Sequence, residues 1–146
     1  MTIVVAIDGP AGSGKGTIAK KISSFYKFPH LDSGILYRSV AYLCQTADEI
    51  DFSEENVLRH ARKLNLDEID VGNLRTKEID DISSKISSFK SLREFLKSYQ
   101  LDFKKIHSDK KGIVVDGRDI TTIIFPDAEI KFYITASLKD LSLIHI

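Results

Sequence analysis

Gly9-Pro10-Ala11-Gly12-Ser13-Gly14-Lys15-Gly16-Thr17 decides how this chain is read. It follows Ile3-Val4-Val5-Ala6-Ile7-Asp8, a near-continuous apolar run of the kind a buried parallel strand presents. Behind it, Ile18, Ile22 and Phe25 recur at helical spacing. A strand, a glycine-rich turn with a lysine, and a helix are the context in which such a turn binds phosphate. Glycines open backbone conformations closed to other residues, so consecutive N–H groups can wrap an anion at the positive end of a helix dipole. Gly9 to Thr17 therefore read as a cradle for nucleotide phosphates, with Lys15 as a mobile cation for the outer ones.

Gly16 stands where most such loops carry Ser or Thr, and the hydroxyl comes one residue later at Thr17. That Gly-Lys-Gly-Thr variant resembles nucleoside monophosphate kinases more than GTPase switches or motor ATPases. The absence of an Asn-Lys-x-Asp guanine-reading motif argues further against a GTPase.

The 146 residues are one domain's worth of chain, long enough for a core but short for a phosphotransferase. Basic and acidic residues balance at 21 each, so no global field favours nucleic acid or membrane, and neither is expected as a partner. The single Cys44 excludes an internal disulfide and fits a reducing compartment; among Val40, Leu43 and Ala47 it reads as a buried thiol. No apolar stretch reaches membrane-spanning length, and the first strand begins too early for a signal peptide, so the cytoplasm is the expected location.

Pro29 to Asp32 predict a short second strand ending at Ser33-Gly34, followed by a helical stripe of Leu36, Val40, Leu43 and Cys44. Asp48 to Glu55 form an acidic connector, with Ser53 as N-cap of a helix bearing Val57, Leu58, Ala61 and Leu64. Asn65 to Leu74 lack a period and read as loop or irregular insert. Ile79, Ile82, Ile86 and Phe89 form one helical face; Leu92 to Ile106 form a longer one, ended by Gly112. Ile113-Val114-Val115 and Ile130 to Ile134 are further strands, with a turn at Pro126-Asp127. Strands alternating with helices describe an α/β sandwich with a mainly parallel sheet. Ligands on such sheets bind beyond the carboxyl ends of the strands, so the phosphate loop, Asp32-Ser33-Gly34 and Asp116-Gly117-Arg118-Asp119 should meet on one rim.

Asp116 ends an apolar strand, where phosphate-loop enzymes place a magnesium-linked acid, although a turn aspartate also fits. Arg38 offers a donor fork suited to a monophosphate, or is a surface charge. Arg118 between Asp116 and Asp119 reads as an anion ligand or a structural ion pair, and Ser84 and Arg93 as a roof over an acceptor or as surface.

Ile7 to Thr17, Leu31-Asp32-Ser33-Gly34-Ile35-Leu36-Tyr37-Arg38, Leu74-Arg75-Thr76-Lys77-Glu78-Ile79 and Asp116 to Ala128 together resemble bacterial cytidylate kinases, in order from residue 3 to about 137. The resemblance implies a P-loop NTPase-like three-layer sandwich with a helical acceptor-binding region. It implies phosphoryl transfer from ATP, with Mg2+, to CMP or dCMP in pyrimidine nucleotide metabolism. It assigns Gly9, Pro10, Ala11, Gly12, Ser13, Gly14, Lys15, Gly16 and Thr17 to ATP, and Thr17 and Asp116 to the metal. Ser33 would meet the sugar, Arg38 and Arg118 the acceptor phosphate, and Ser84, Arg93 and Asp119 the cytosine. Lys15, Arg38, Arg118 and Asp116 form the catalytic set.

The stretch from Asn65 to Arg75 is shorter than the small β-rich insert many family members carry. The kinase core is expected over 1–137, its acceptor-binding insert near 48–90. Leu138 to Ile146 do not match the family, which continues with an arginine-bearing helix, a lid, a last strand and a last helix. The resemblance thus implies a C-terminally truncated and impaired kinase, since losing comparable cations costs roughly a thousandfold or more. Intact members are expected to be monomers, and this chain to self-associate along an exposed edge strand. A non-catalytic nucleotide-binding remnant and another P-loop small-molecule kinase are the alternatives.

Overall fold

Strand order is the first consequence of these apolar runs. In the computed structural model, which describes residues 1–47 and 52–135, β1 (Ile3–Asp8), β2 (His30–Asp32), β3 (Gly112–Gly117) and β4 (Ile130–Tyr133) form one sheet in the order β2-β3-β1-β4. Every pairing is parallel. β3 is buried at all its positions and β1 from Val4 onward, as strands covered on both faces must be. The result is the α/β fold with a parallel sheet that the sequence predicts. The part of the acidic connector from 48 to 51, and residues 136 to 146 with the non-matching tail, lie outside the described residues.

Pairing register lines up the carboxyl ends of the strands. Asp8 sits opposite Gly117 on one side and Tyr133 on the other, while Asp32 sits opposite Asp116. Where β4 has not yet begun to pair, the free N–H of Val4 donates to Glu129 Oε2 at 2.7 Å.

Helix α1 (Lys15–Tyr26) lies on the sheet, and Ile18, Ile22, Phe28 and Ile134 pack around Val5, Ile7, Ala19 and Val114. Phe25, expected on this face, is 79% exposed instead. It stands in the last turn, edge-on to Tyr26 at 4.9 Å, and the chain reverses at Lys27, whose φ of 57° is left-handed. Phe28 thereby takes the core position that spacing alone gives to Phe25.

The chain divides into two compact units, one of Met1–Ser33 with the chain from Gln100 onward, the other Gly34–Tyr99. The described part, 52–90, of the range expected for an acceptor-binding insert falls within the second, which is wider at both ends. Within it, α2 (Ser33–Thr46) buries Leu36, Val40 and Cys44, and α3 (Glu54–Ala61) buries Val57 and Ala61. Ser53 caps α3 by accepting from the N–H of Asn56. The stretch 65–74 is two short 3-10 turns, Leu66–Glu68 and Val71–Leu74. Each is started by an Asx side chain, Asn65 or Asp70, that accepts the N–H two residues on. α4 (Lys77–Ile86), capped by Thr76, buries Ile79 and Ile86; α5 (Lys90–Ile106) begins in this unit and buries Leu92 and Leu96. The Glu54 carboxylate accepts from the N–H and hydroxyl of Ser91, which holds its pKa below the ordinary carboxylate value.

α5 ends at Ile106, not at Gly112, and Ile106 is 72% exposed rather than part of the apolar face. The Thr2 hydroxyl, 2.8 Å from the Lys110 carbonyl and 3.1 Å from that of Ser108, holds the turn that follows. Gly112 opens β3 for a steric reason, since a Cβ there would come within 2.6 Å of the Phe28 ring and 2.9 Å of Ile3. Among the described residues no helix is long and apolar enough to cross a membrane.

Glu129 gives this fold a pH signature. The Val4 hydrogen bond, the largest influence on it, lowers the Glu129 pKa below its ordinary value of 4.5. A depressed folded pKa means stabilisation that is present above the unfolded value and lost as pH falls through the folded one. Glu129→Gln is expected to cost under about 1 kcal/mol at pH 7, the group being largely solvated, and nothing once the carboxylate is protonated. Urea unfolding of both proteins at neutral and strongly acidic pH measures it; an equal gap at both contradicts the role.

Candidate nucleotide site

The loop between β1 and α1 is shaped by two glycines in left-handed conformations, Gly12 at φ 76° and Gly14 at φ 88°. Gly14 is the N-cap of α1 and offers no side-chain cap, and the first turn holds no acidic residue. Ser53 and Thr76 each accept one first-turn amide of α3 and α4; in α1 the Lys15 amide contacts the Ser13 hydroxyl, and the Gly16 and Thr17 amides keep their capacity for an external anion. Pro10, Ala11, Gly12 and Thr17 are exposed, whereas Ser13 is buried with its Oγ 3.4 Å from the Lys15 N–H. The Lys15 ammonium rests on the Pro10 carbonyl at 3.4 Å, folded back along its own loop.

The Asp116-Gly117-Arg118-Asp119 segment meets this loop. Gly9 N–H donates to the Gly117 carbonyl at 3.2 Å. Asp116 is 1% exposed; its Oδ1 lies 2.5 Å from His30 Nε2, and its Oδ2 is 3.9 Å from where a Gly16 Cβ would stand. One carboxylate oxygen is thus engaged by β2 and the other faces the start of α1. Ser33 is buried with its hydroxyl against Gly117, close enough that any Cβ there would collide with it. The three strand ends therefore converge, as the sequence predicts.

Arg118 and Asp119 are exposed beyond this junction. The backbone under them is tied down by Asp8, a buried carboxylate that accepts from Ile120 N–H at 2.8 Å, Thr121 N–H at 2.9 Å and the Thr121 hydroxyl at 2.6 Å. A short π-helical turn, Ile120–Ile124, follows.

The remaining expected residues lie in the second unit. Arg38 is half-exposed and pairs with Asp80 at 3.5 Å. Arg93 donates to the carbonyls of Ser87 at 3.2 Å and Ser88 at 2.6 Å, closing the C-terminal end of α4. Ser84 is exposed on that helix.

Sequence reasoning missed Asp8 and His30. Asp8 carried a usable signal, since an acid ending a buried strand needs donors. His30, in a three-residue strand, carried none. As for a divalent cation, the Asp116 carboxylate and Thr17 hydroxyl are hard oxygen donors of the type magnesium takes, so the residues present fit it.

Lys15→Ala removes the loop's cation without touching the buried cluster. It is expected to weaken ATP binding at least about tenfold with an unchanged circular dichroism spectrum. Calorimetric titration of both proteins tests this, and equal affinities contradict the assignment.

A model of the cytidylate kinase family matches residues 5–141. Curated cytidylate kinases of Bartonella bacilliformis and Acidiphilium cryptum are 47% and 46% identical, each match covering 93% of this chain and 62% of the relative. That of Bradyrhizobium sp. is 41% identical over 138 residues, 94% of this chain and 63% of the relative. The chain thus spans about 62% of the length of the curated relatives it matches. With the phosphate loop, the parallel sheet and a match over nearly its whole length, this chain belongs to the cytidylate kinase family.

Proposed function

We propose that this chain transfers the terminal phosphoryl group of ATP to CMP or dCMP, giving ADP and the nucleoside diphosphate, in pyrimidine nucleotide metabolism in the cytoplasm. The observation that most supports it is the Asp116 carboxylate facing the start of an uncapped phosphate-binding helix.

Such a transfer asks little covalent chemistry of the protein. The acceptor oxygen is already anionic, so no general base is needed; what must be supplied is alignment and neutralisation of two polyanions. The loop amides and Lys15 bind the donor phosphates. Thr17 and Asp116 would hold Mg2+, which would supply charge neutralisation to the phosphates. Arg118 takes the acceptor phosphate, Ser33 the sugar and Asp119 the cytosine. Arg38, which pairs with Asp80, is assigned to the same phosphate. Ser84 and Arg93 are assigned to the base, Arg93 with the added work of closing α4.

A coupled ADP-release assay with CMP, dCMP and UMP as acceptors tests the proposal. ATP binding without turnover on any acceptor would leave a non-catalytic nucleotide binder.

Base selection gives a sharper outcome. Cytosine presents an amine donor where uracil presents a carbonyl, so an acid such as Asp119 accepts from the one and repels the other. A site whose polar groups would be left unpaired rejects the wrong base strongly. CMP and dCMP are expected to bind more tightly than UMP, and Asp119→Ala to narrow that gap mainly by losing CMP affinity. Arg93→Ala should act in the same direction, whereas Arg38→Ala should weaken all monophosphates alike. Calorimetry across the three variants decides; an unchanged CMP-to-UMP ratio in Asp119→Ala removes the base-reading role.

Association state is the last part of the proposal. β4 pairs with β1 alone among the described residues and leaves Ile130, Phe132 and Tyr133 exposed at 39%, 43% and 66%. Apolar edges of this kind template pairing with another chain. Self-association rising with concentration is expected in sedimentation velocity, and a monomer across the whole range contradicts it.

A further inference from the structure

Asp8 is a buried carboxylate whose three donors, Ile120 N–H, Thr121 N–H and the Thr121 hydroxyl, all belong to the segment directly after Arg118-Asp119. Charge-assisted hydrogen bonds of this kind are the strong ones, and a buried carboxylate depends on them for its solvation. On the far side, the Asp119 carbonyl accepts from Ile123 N–H at 2.9 Å and Ile124 N–H at 3.1 Å. The backbone bearing Arg118 and Asp119 is therefore clamped while both side chains stay exposed.

The phosphate loop is held by other means. Gly9 N–H bonds to Gly117, Ser13 N–H to the Pro10 carbonyl at 3.2 Å, and Ile134 N–H to the Asp8 carbonyl at 2.8 Å. None of these uses the Asp8 side chain. Its carboxylate acts on the acceptor-side segment from a position one residue before the donor loop.

We infer that Asp8 is a positioning residue for the acceptor: through Ile120 and Thr121 it fixes the backbone of Arg118 and Asp119 and thereby sets affinity for the nucleoside monophosphate, with little effect on ATP. The inference rests on the proposed acceptor roles of Arg118 and Asp119. It explains why a charged residue is buried at the end of a strand that is otherwise apolar. Asparagine at this position keeps one acceptor but turns an amide donor toward donors, so it restores part of the clamp; alanine restores none.

The test compares the unmodified chain with Asp8→Ala, Asp8→Asn, Thr121→Val and Arg118→Ala by calorimetry with CMP and, separately, ATP, together with hydrogen exchange and melting temperature. Asp8→Ala is expected to lower CMP affinity about tenfold or more, Asp8→Asn less, and Thr121→Val, which loses only the hydroxyl bond, about threefold. ATP affinity should stay within about twofold throughout, and faster exchange should be confined to residues 118–124. Unchanged CMP affinity in Asp8→Ala, with Arg118→Ala impaired, overturns the inference and leaves the acceptor reading standing. Parallel loss of ATP and CMP affinity with a lower melting temperature also overturns it, because Asp8 would then be a general brace. If the unmodified chain does not bind CMP, or Arg118→Ala binds it normally, the acceptor reading falls and this inference with it.

Discussion

Parallel insertion of β3 between β1 and β2 is the constraint on which the first unit depends. Strands that run the same way deliver their following loops to the same edge, and the register decides which residues meet there. Because Asp8 stands opposite Gly117 and Asp32 opposite Asp116, two loops far apart in sequence share one rim. A slip of one residue would turn the Asp116 side chain to the other face of the sheet. The continuous burial of β1 and β3 resists such a slip, since both faces are packed.

Steric exclusion at the rim reinforces the register. Ser33 presses its hydroxyl on Gly117, and the ring of Phe28 fills the space beside Gly112. β3 thus begins and ends at positions with no room for a side chain. Between them Ile113, Val114 and Val115 supply the apolar surface that holds the strand in the middle of the sheet.

The fold was legible because its signals are local and repeated: apolar runs for β1 and β3, helical spacing in α2 and α4, and capping residues at Ser53. The phosphate loop was legible for the same reason. Misreadings arose where a long-range contact overrode a local pattern. Phe25 has helical spacing but loses its core place to Phe28, because Lys27 reverses the chain. Gly112 resembles a helix stop but is demanded by the ring of Phe28 packed beside it. Asn65 and Asp70 start 3-10 turns that show no apolar period and are visible only to someone reading Asx residues as turn starters. Within the site, the partnership of His30 with Asp116 was invisible, because nothing in a linear sequence says which strand neighbours which.

The bare amino terminus of α1 also couples the chemistry of the surroundings to the stability of the chain. An oxyanion bound there would meet first-turn amides, of which that of Lys15 also contacts the Ser13 hydroxyl, beside a lysine. Since the unfolded chain has no such cradle, any bound oxyanion pulls the equilibrium toward the folded form. A hundredfold excess over its dissociation constant adds about 2.7 kcal/mol, a large share of what holds a small domain together. Where an oxyanion binds that turn, buffer composition becomes a thermodynamic variable for this molecule.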